Sequence, residues 1–248
     1  MSTRETAKKA VEGIAAKLGY VDLAILDRIG NLLPEERRII EQSLRAKDEQ
    51  KGHSIKTLAR NLYSSNARFL FELLQNADDN RFTLAREHNE LPFISFNVYP
   101  DRIIVEYNED GFRIEDLSAI CSVGESTKAA SHSYIGAKGI GFKSVFIAAW
   151  KVQIQSGNFS FHFKHKIGDL GLGMVLPDWE DSEYECPDRL TRITLYLHTE
   201  GEPHALEHFR QTIFQQLGDL QQTSLLFFAE PQADRNLLLR WQWWDEAI

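Results

Sequence analysis

The sequence predicts an α+β fold, a two-layer sandwich of helices on a sheet with a helical extension at its N-terminus, and three observations lead there. Segments with helical and with strand periodicity segregate along the chain instead of alternating as βαβ units. Residues 93–99 and 102–107 each alternate apolar and polar side chains around Pro100-Asp101, as the arms of a hairpin do. With 248 residues, 43% apolar and 26% charged, the chain has the composition of a folded protein. A chain of that length buries roughly 70–75% of the surface its unfolded form exposes.

Taken in order, residues 1–55 read as helical and polar. Ala10, Ile14 and Leu18 share one helix face, and Pro34 followed by Glu35-Glu36 starts a helix leading into Ile39, Ile40 and Leu44. The charged run Arg45 to Lys51, ending in Gly52, reads as a junction. The chain therefore divides into an extension, 1–55, and a main domain, 56–248. A strong helix is predicted from Ile55 to Asp79, then the hairpin, a polar turn at 108–111, a short helix at 114–121 and a Gly/Ser/Thr/Lys-rich loop at 122–138. An apolar helix should open at Gly139-Ile140-Gly141. Strands are expected at 151–156, 159–163 and 191–197, followed by a helix at 203–220 and two apolar segments, 225–229 and 237–244. The abrupt end at Trp243-Trp244-Asp245-Glu246-Ala247-Ile248 suggests a fragment of something longer.

Composition excludes several classes. A formal charge of −8, with the charges interspersed, does not support a nucleic-acid groove, which needs clustered Lys and Arg. No apolar run approaches the ~20 residues that span a bilayer, and the start lacks the apolar stretch of a signal peptide. The two cysteines, Cys121 and Cys186, form no CxxC pair and read as reduced thiols. A cytoplasmic or nuclear location is expected.

Three segments carry the chemistry. On the helix containing ELLQNADD, Leu70, Leu73, Leu74 and Ala77 share one face, and Glu72, Asn76 and Asp79 share the opposite one. A carboxylate, an amide and a carboxylate in a row suit a site where an amide oxygen holds a hard cation and a carboxylate orients water. The second segment, Asn108-Glu109-Asp110-Gly111-Phe112, follows a strand; Gly111 lets the backbone approach a flat ligand, and Asn or Asp side chains can pair with its edge. The third runs from GESTK (124–128) to Gly136-Ala137-Lys138-Gly139-Ile140-Gly141-Phe142-Lys143-Ser144. Glycines opening a helix bare unpaired N–H groups, for which phosphate is the natural guest. The pattern is neither a Walker A loop, because Phe142 separates Gly141 from Lys143, nor a dinucleotide fingerprint, because the third glycine is missing.

In this order and spacing the three segments resemble the GHKL ATPase superfamily, whose Bergerat-type ATP site combines an N-box helix and two glycine boxes around a mobile lid. ELLQNADDN, YNEDGF, SVGESTK and GAKGIGFKSVF look most like the ATPase modules of the sacsin and NO VEIN type, over roughly residues 55–200. The resemblance implies that Glu72 is the general base, that Asn76 is the ligand of a single Mg²⁺, and that Asp79 contacts nucleotide through sugar or water. Asn108 falls where the superfamily has the Asp that takes the adenine amino proton, and Asp110 is the alternative. Lys128 matches the lid lysine. Gly136, Gly139, Ile140, Gly141 and Phe142 match the second glycine box that holds the phosphates, and Thr191 resembles the strand threonine near adenine.

The function so implied is a Mg²⁺-dependent ATP-binding domain that hydrolyses ATP slowly and uses nucleotide as a chaperone-like conformational switch, with residues 122–138 as the lid. The alternative is a nucleotide-sensing interaction module with little or no turnover. Expected cofactors are ATP and Mg²⁺. Expected partners are ATP and ADP, client proteins or further domains of a longer chain, and a second copy of the chain; neither a membrane nor nucleic acid is expected.

Overall fold

The computed structural model describes residues 3–21, 24–29, 32–60, 68–122, 141–166, 169, 171–181, 189–198, 211–213, 215–218 and 238–243. It is an α+β sandwich, as predicted: a seven-stranded sheet with helices packed on its apolar face. The strands are β1 (Phe93–Val98), β2 (Arg102–Tyr107), β3 (Ala149–Ser156), β4 (Phe159–Lys164), β5 (Asp178–Trp179), β6 (Thr191–Leu197) and β7 (Leu238–Trp243), in the spatial order β5-β4-β3-β6-β2-β1-β7. Every neighbouring pair is antiparallel except β1 and β7, which run parallel at one edge.

The hairpin forms where alternation placed it. Ile94, Phe96 and Val98 of β1 and Ile103, Val105 and Tyr107 of β2 point into the core, while their neighbours are half-exposed. Register carries this pattern across the sheet: Tyr107 pairs with Thr191, and Thr191 in turn with Ser156. The end of β2, the start of β6 and the end of β3 therefore lie in one row, and the turn 108–112 leaves the sheet there.

The helices are α1 (Arg4–Lys17), α2 (Ala24–Arg28), α3 (Pro34–Arg60), α4 (Arg68–Asp78), α5 (Thr83–Glu87) and α6 (Ile114–Cys121). Helix α1 starts at the cap Thr3, whose hydroxyl accepts the Thr6 N–H at 3.2 Å, and buries Ala7, Val11, Ile14 and Ala15 against β4, β5 and α6. The charged run 45–51, expected as a junction, is instead part of α3, with Gly52 buried inside the helix. Its charges have a local use. Lys47 and Lys51 donate to the Gly19 and Leu18 carbonyls at 2.6 and 2.8 Å, capping the C-terminus of α1 with cations where the helix dipole favours them. Helix α3 runs unbroken through residue 55.

The helix predicted over 55–79 coincides with α3 as far as Arg60 and with α4 from Arg68; residues 61–67 lie outside the described residues. One further expectation is corrected. The segment after the glycine box is not an α-helix but a 3₁₀ helix, Gly141–Ile147, which gives way almost at once to β3. Seven residues with Phe142, Val145 and Phe146 buried are enough to turn the chain and fill the space under α4. The short strand β5 escaped the pattern search because two residues carry no periodicity. The loop 122–138, apart from Ser122, and segment 225–229 fall outside the described residues, as does most of the helix expected at 203–220. Among the described residues no helix is long and apolar enough to cross a membrane.

Candidate functional site

Helix α4 sits on the sheet because its apolar stripe is continuous: Phe69, Leu70, Leu73, Leu74 and Ala77 are all buried. That burial turns Glu72 and Asn76 toward a cleft beside the 3₁₀ helix. The empty space of the cleft is about 600 Å³ including its open mouth. Leu73, Asn76 and Asn80 form one wall, from α4 and the turn after it. Tyr107, Glu109 and Phe112 contribute from the end of β2 and its turn, Asp116, Ala119 and Ile120 from α6, and Phe142 and Ile193 close the remaining sides.

Glu72 lies at the edge of this cleft against the backbone of Gly141. A Cβ on Gly141 would come within 2.8 Å of Glu72 Cδ and closer still to Oε2. The glycine is needed there for space. Glu72 of the N-terminal motif, Asn76, and Gly141 and Phe142 of the glycine-rich motif are thus brought together from segments about 70 residues apart in sequence.

Three of the five residues of the turn after β2 are pinned by hydrogen bonds. Asn108 is buried, with its Oδ1 accepting the Phe93 N–H at 2.8 Å and its Nδ2 donating to the Leu91 carbonyl at 3.1 Å. Asp110 is exposed and accepts the Leu84 N–H at 2.8 Å, at the start of α5, while its own N–H donates to the Arg81 carbonyl at 2.9 Å. Gly111 holds φ at +91°, in the left-handed region that suits glycine. The Phe112 N–H donates to Ser156 Oγ at 2.9 Å, and that hydroxyl lies 2.6 Å from Thr191 Oγ1. These bonds direct Asn108 and Asp110, the two residues expected at a ligand edge, away from the cleft. They leave Glu109 facing into it.

Glu109 is only 6% exposed. Burial pushes its carboxyl up to about 7; hydrogen bonds from Thr191 and Asn80 pull it down, and Asp116 and Asp110 push it up. Its Oε1 is buried with no hydrogen-bond partner. A signal for Glu109 exists in the sequence: extending the alternation Ile103, Val105, Tyr107 by one step lands on it. Asn80 follows Asn76 by one helical turn, and Asp116 is the acid of the capping box that starts α6, accepting the Arg113 N–H at 3.0 Å.

The remaining predicted residues divide. Thr191 is fully buried, hydrogen-bonded to the Glu109 carboxyl, and does not itself line the cleft. Asp79 is half-buried where α4 ends and does not line the cleft, whereas its neighbour Asn80 does. Lys128, Gly136, Gly139 and Ile140 lie outside the described residues. Lys143, next to Phe142, faces the core: it is buried over the rings of Phe142 and Phe163, both at 5.9 Å, and donates to the Ile120 carbonyl in the last turn of α6. Burial lowers its ammonium to about 8. Burial also pushes the thiol of neighbouring Cys121 up to about 12, which keeps that cysteine protonated.

Four rings connect the two aromatic walls of the cleft from below. Phe112 lies 6.3 Å from Phe161, Phe161 meets Phe163 edge-on at 5.7 Å, and Phe163 lies 6.3 Å from Phe142.

The sacsin-domain family model matches residues 49–158, the stretch holding α4, the hairpin, the Glu109 turn, α6 and the 3₁₀ helix. The chain is 44% identical over 126 residues to the Protein NO VEIN of Arabidopsis thaliana, which covers 51% of this chain and 4% of that protein. It is 29% identical over 210 residues to the Chaperone protein HtpG of Rickettsia akari (strain Hartford), covering 74% of this chain and 33% of the relative. A second such chaperone, from Rickettsia prowazekii (strain Madrid E), is 28% identical over 188 residues, covering 66% of this chain and 29% of the relative. The chain spans a small part of NO VEIN and about a third of the HtpG proteins. The fold and these relatives make the chain similar to an HSP90-type module. Within that likeness, residues 49–158 resemble the sacsin domain, and 126 residues of the chain resemble NO VEIN.

Proposed function

We propose that this module binds Mg²⁺-ATP in the cleft between α4 and the 3₁₀ helix, hydrolyses it slowly, and passes the nucleotide state on as a change in how the module contacts its partners. The observation that carries the reading is the meeting of Asn76, Glu109 and Phe142 in one cleft, with Glu72 seated on Gly141 at its edge. The donor set fits a nucleotide. The Glu109 carboxyl on the cleft wall can serve a base edge, and apolar Leu73, Phe112 and Ile193 can cover a flat ring. Glu109 therefore takes the adenine-end role for which the motif suggested Asn108 or Asp110, and Thr191 supports it.

In this reading Asn76 supplies an amide oxygen to Mg²⁺, which when bound draws charge from the phosphates. Glu72 accepts a hydrogen bond from water and holds it for attack at the γ-phosphate, a role for which the van der Waals contact with Gly141 fixes its carboxylate. Lys128, Gly136, Gly139 and Ile140 complete the phosphate end by their place in the motif, and Asp79 contacts nucleotide through sugar or water. The division into an extension, 1–55, and a nucleotide domain, 56–248, belongs to the same proposal, with client proteins, further domains of a longer chain or a second copy as what responds to the switch.

The test is turnover of the purified protein against Glu72→Ala. The expected result is a loss of about 100-fold in kcat with Mg-ATP affinity changed less than threefold, the signature of a group that acts on the transition state rather than on binding. Equal hydrolysis by both proteins would remove the catalytic role of Glu72. Binding by the wild type without any turnover would favour the nucleotide-sensing alternative.

A further inference from the structure

Glu109 has surroundings that an ordinary surface carboxylate does not. It ends the apolar row Ile103, Val105, Tyr107 and points into a cleft walled by Leu73, Phe112, Phe142 and Ile193. The groups that face it come from five segments. Thr191 on β6 and Asn80 after α4 donate to its anion; Asp116 on α6 and Asp110 in its own turn are acidic and oppose it; Tyr107 on β2 is a buried phenol pushed well above its ordinary value. One of its oxygens is already shut off from water without a partner. A carboxyl so placed stands near the balance point between its two forms, about 7 in the open cleft.

We infer that Glu109 takes up a proton when the cleft fills, so that nucleotide binding by this protein is coupled to protonation of a single carboxyl group. The inference rests on the proposed nucleotide site. A ring lying over Leu73 and between Phe112 and Phe142 removes the water that still reaches the carboxyl, and desolvation penalises the charged form. As a neutral acid Glu109 can donate from the oxygen that still meets the cleft. The ring nitrogen of adenine is an acceptor for that proton. As a carboxylate Glu109 is acceptor-only and would set a lone pair against the ring nitrogen.

The sign follows from linkage. If the ligand selects the protonated form, binding raises the carboxyl above its free value. Affinity is then level below about pH 7 and falls above it, toward tenfold per pH unit, until the bound form also titrates. A carboxylate that simply accepts the amino proton gives the opposite slope, with affinity rising through pH 7.

Titration calorimetry with Mg-ADP at pH 7.5, in two buffers of different ionisation enthalpy, reads the proton directly. The expected uptake is more than half a proton per nucleotide, with binding about tenfold weaker at pH 8.5 than at pH 7.0. In Glu109→Gln, whose amide can also donate, that uptake and slope should vanish; protonation of the nucleotide's own phosphates appears equally in both proteins and cancels. Binding with no uptake attributable to Glu109, or tighter at pH 8.5, would overturn the inference and leave the nucleotide site standing. No binding of Mg-ADP at any pH would overturn both. Should Glu109→Gln fail to fold, the slope of the wild type between pH 7.0 and 8.5 decides by itself.

Discussion

Gly141→Ala is expected to lower ATP turnover about 100-fold while costing the fold no more than about 1 kcal/mol. The reason is what the new methyl group would meet. It would come within 2.8 Å of Glu72 Cδ and nearer still to Oε2, distances no real contact tolerates. These atoms are the free end of a flexible side chain, so the protein yields by swinging the carboxylate aside and leaves its backbone in place. A displacement of about 1 Å in a group that positions a reactant is enough for a loss of that size. Single-turnover kinetics alongside urea unfolding separate the two effects. Because both changes disable one carboxylate, adding Glu72→Ala to Gly141→Ala should cost little more than either alone. Wild-type turnover in Gly141→Ala would mean that this contact does not set the position of Glu72.

Phe161→Ala is expected to be the most destabilising single change in the sheet, at about 3–5 kcal/mol out of the 5–15 kcal/mol that hold a domain of this kind together. Phe161 is fully buried and touches two other rings, Phe163 edge-on and Phe112 from below. Its loss leaves a cavity under the cleft and takes away the surface on which Phe112 rests. The variant should therefore unfold at much lower urea, and its affinity for Mg-ADP should fall even at temperatures where it stays folded. Phe161→Leu, which fills most of the volume without the edge-on contact, should recover more than half of the stability. A Phe161→Ala protein as stable as the wild type would show that the ring ladder does not brace the cleft.

The sheet was legible because its strands alternate cleanly: β1, β2 and β6 lie where period-two patterning put them, and α6 spans the predicted residues. The N-terminal region was harder. A charged run ending in glycine has the composition of a linker, yet Lys47 and Lys51 are fixed by α1 carbonyls that lie about 30 residues away in sequence. No local pattern encodes such a contact. The same limit shaped the site. The periodicity of α4 identified the face bearing Glu72 and Asn76, because helix geometry is local. Which residue of Asn108-Glu109-Asp110 faces the cleft depends on where Leu91, Phe93 and Leu84 lie in space, and those partners claim Asn108 and Asp110. The alternation of β2, carried past the strand end, was the available signal, but turn chemistry made Asn and Asp look more eligible.

The central claim is that α4 and the 3₁₀ helix frame a nucleotide. A crystal structure with Mg²⁺ and a non-hydrolysable ATP analogue tests it most directly. The account predicts the base against Glu109 and Phe112, and the metal on the Asn76 amide oxygen. An analogue bound elsewhere, with Asn76 and Glu109 untouched, would contradict it.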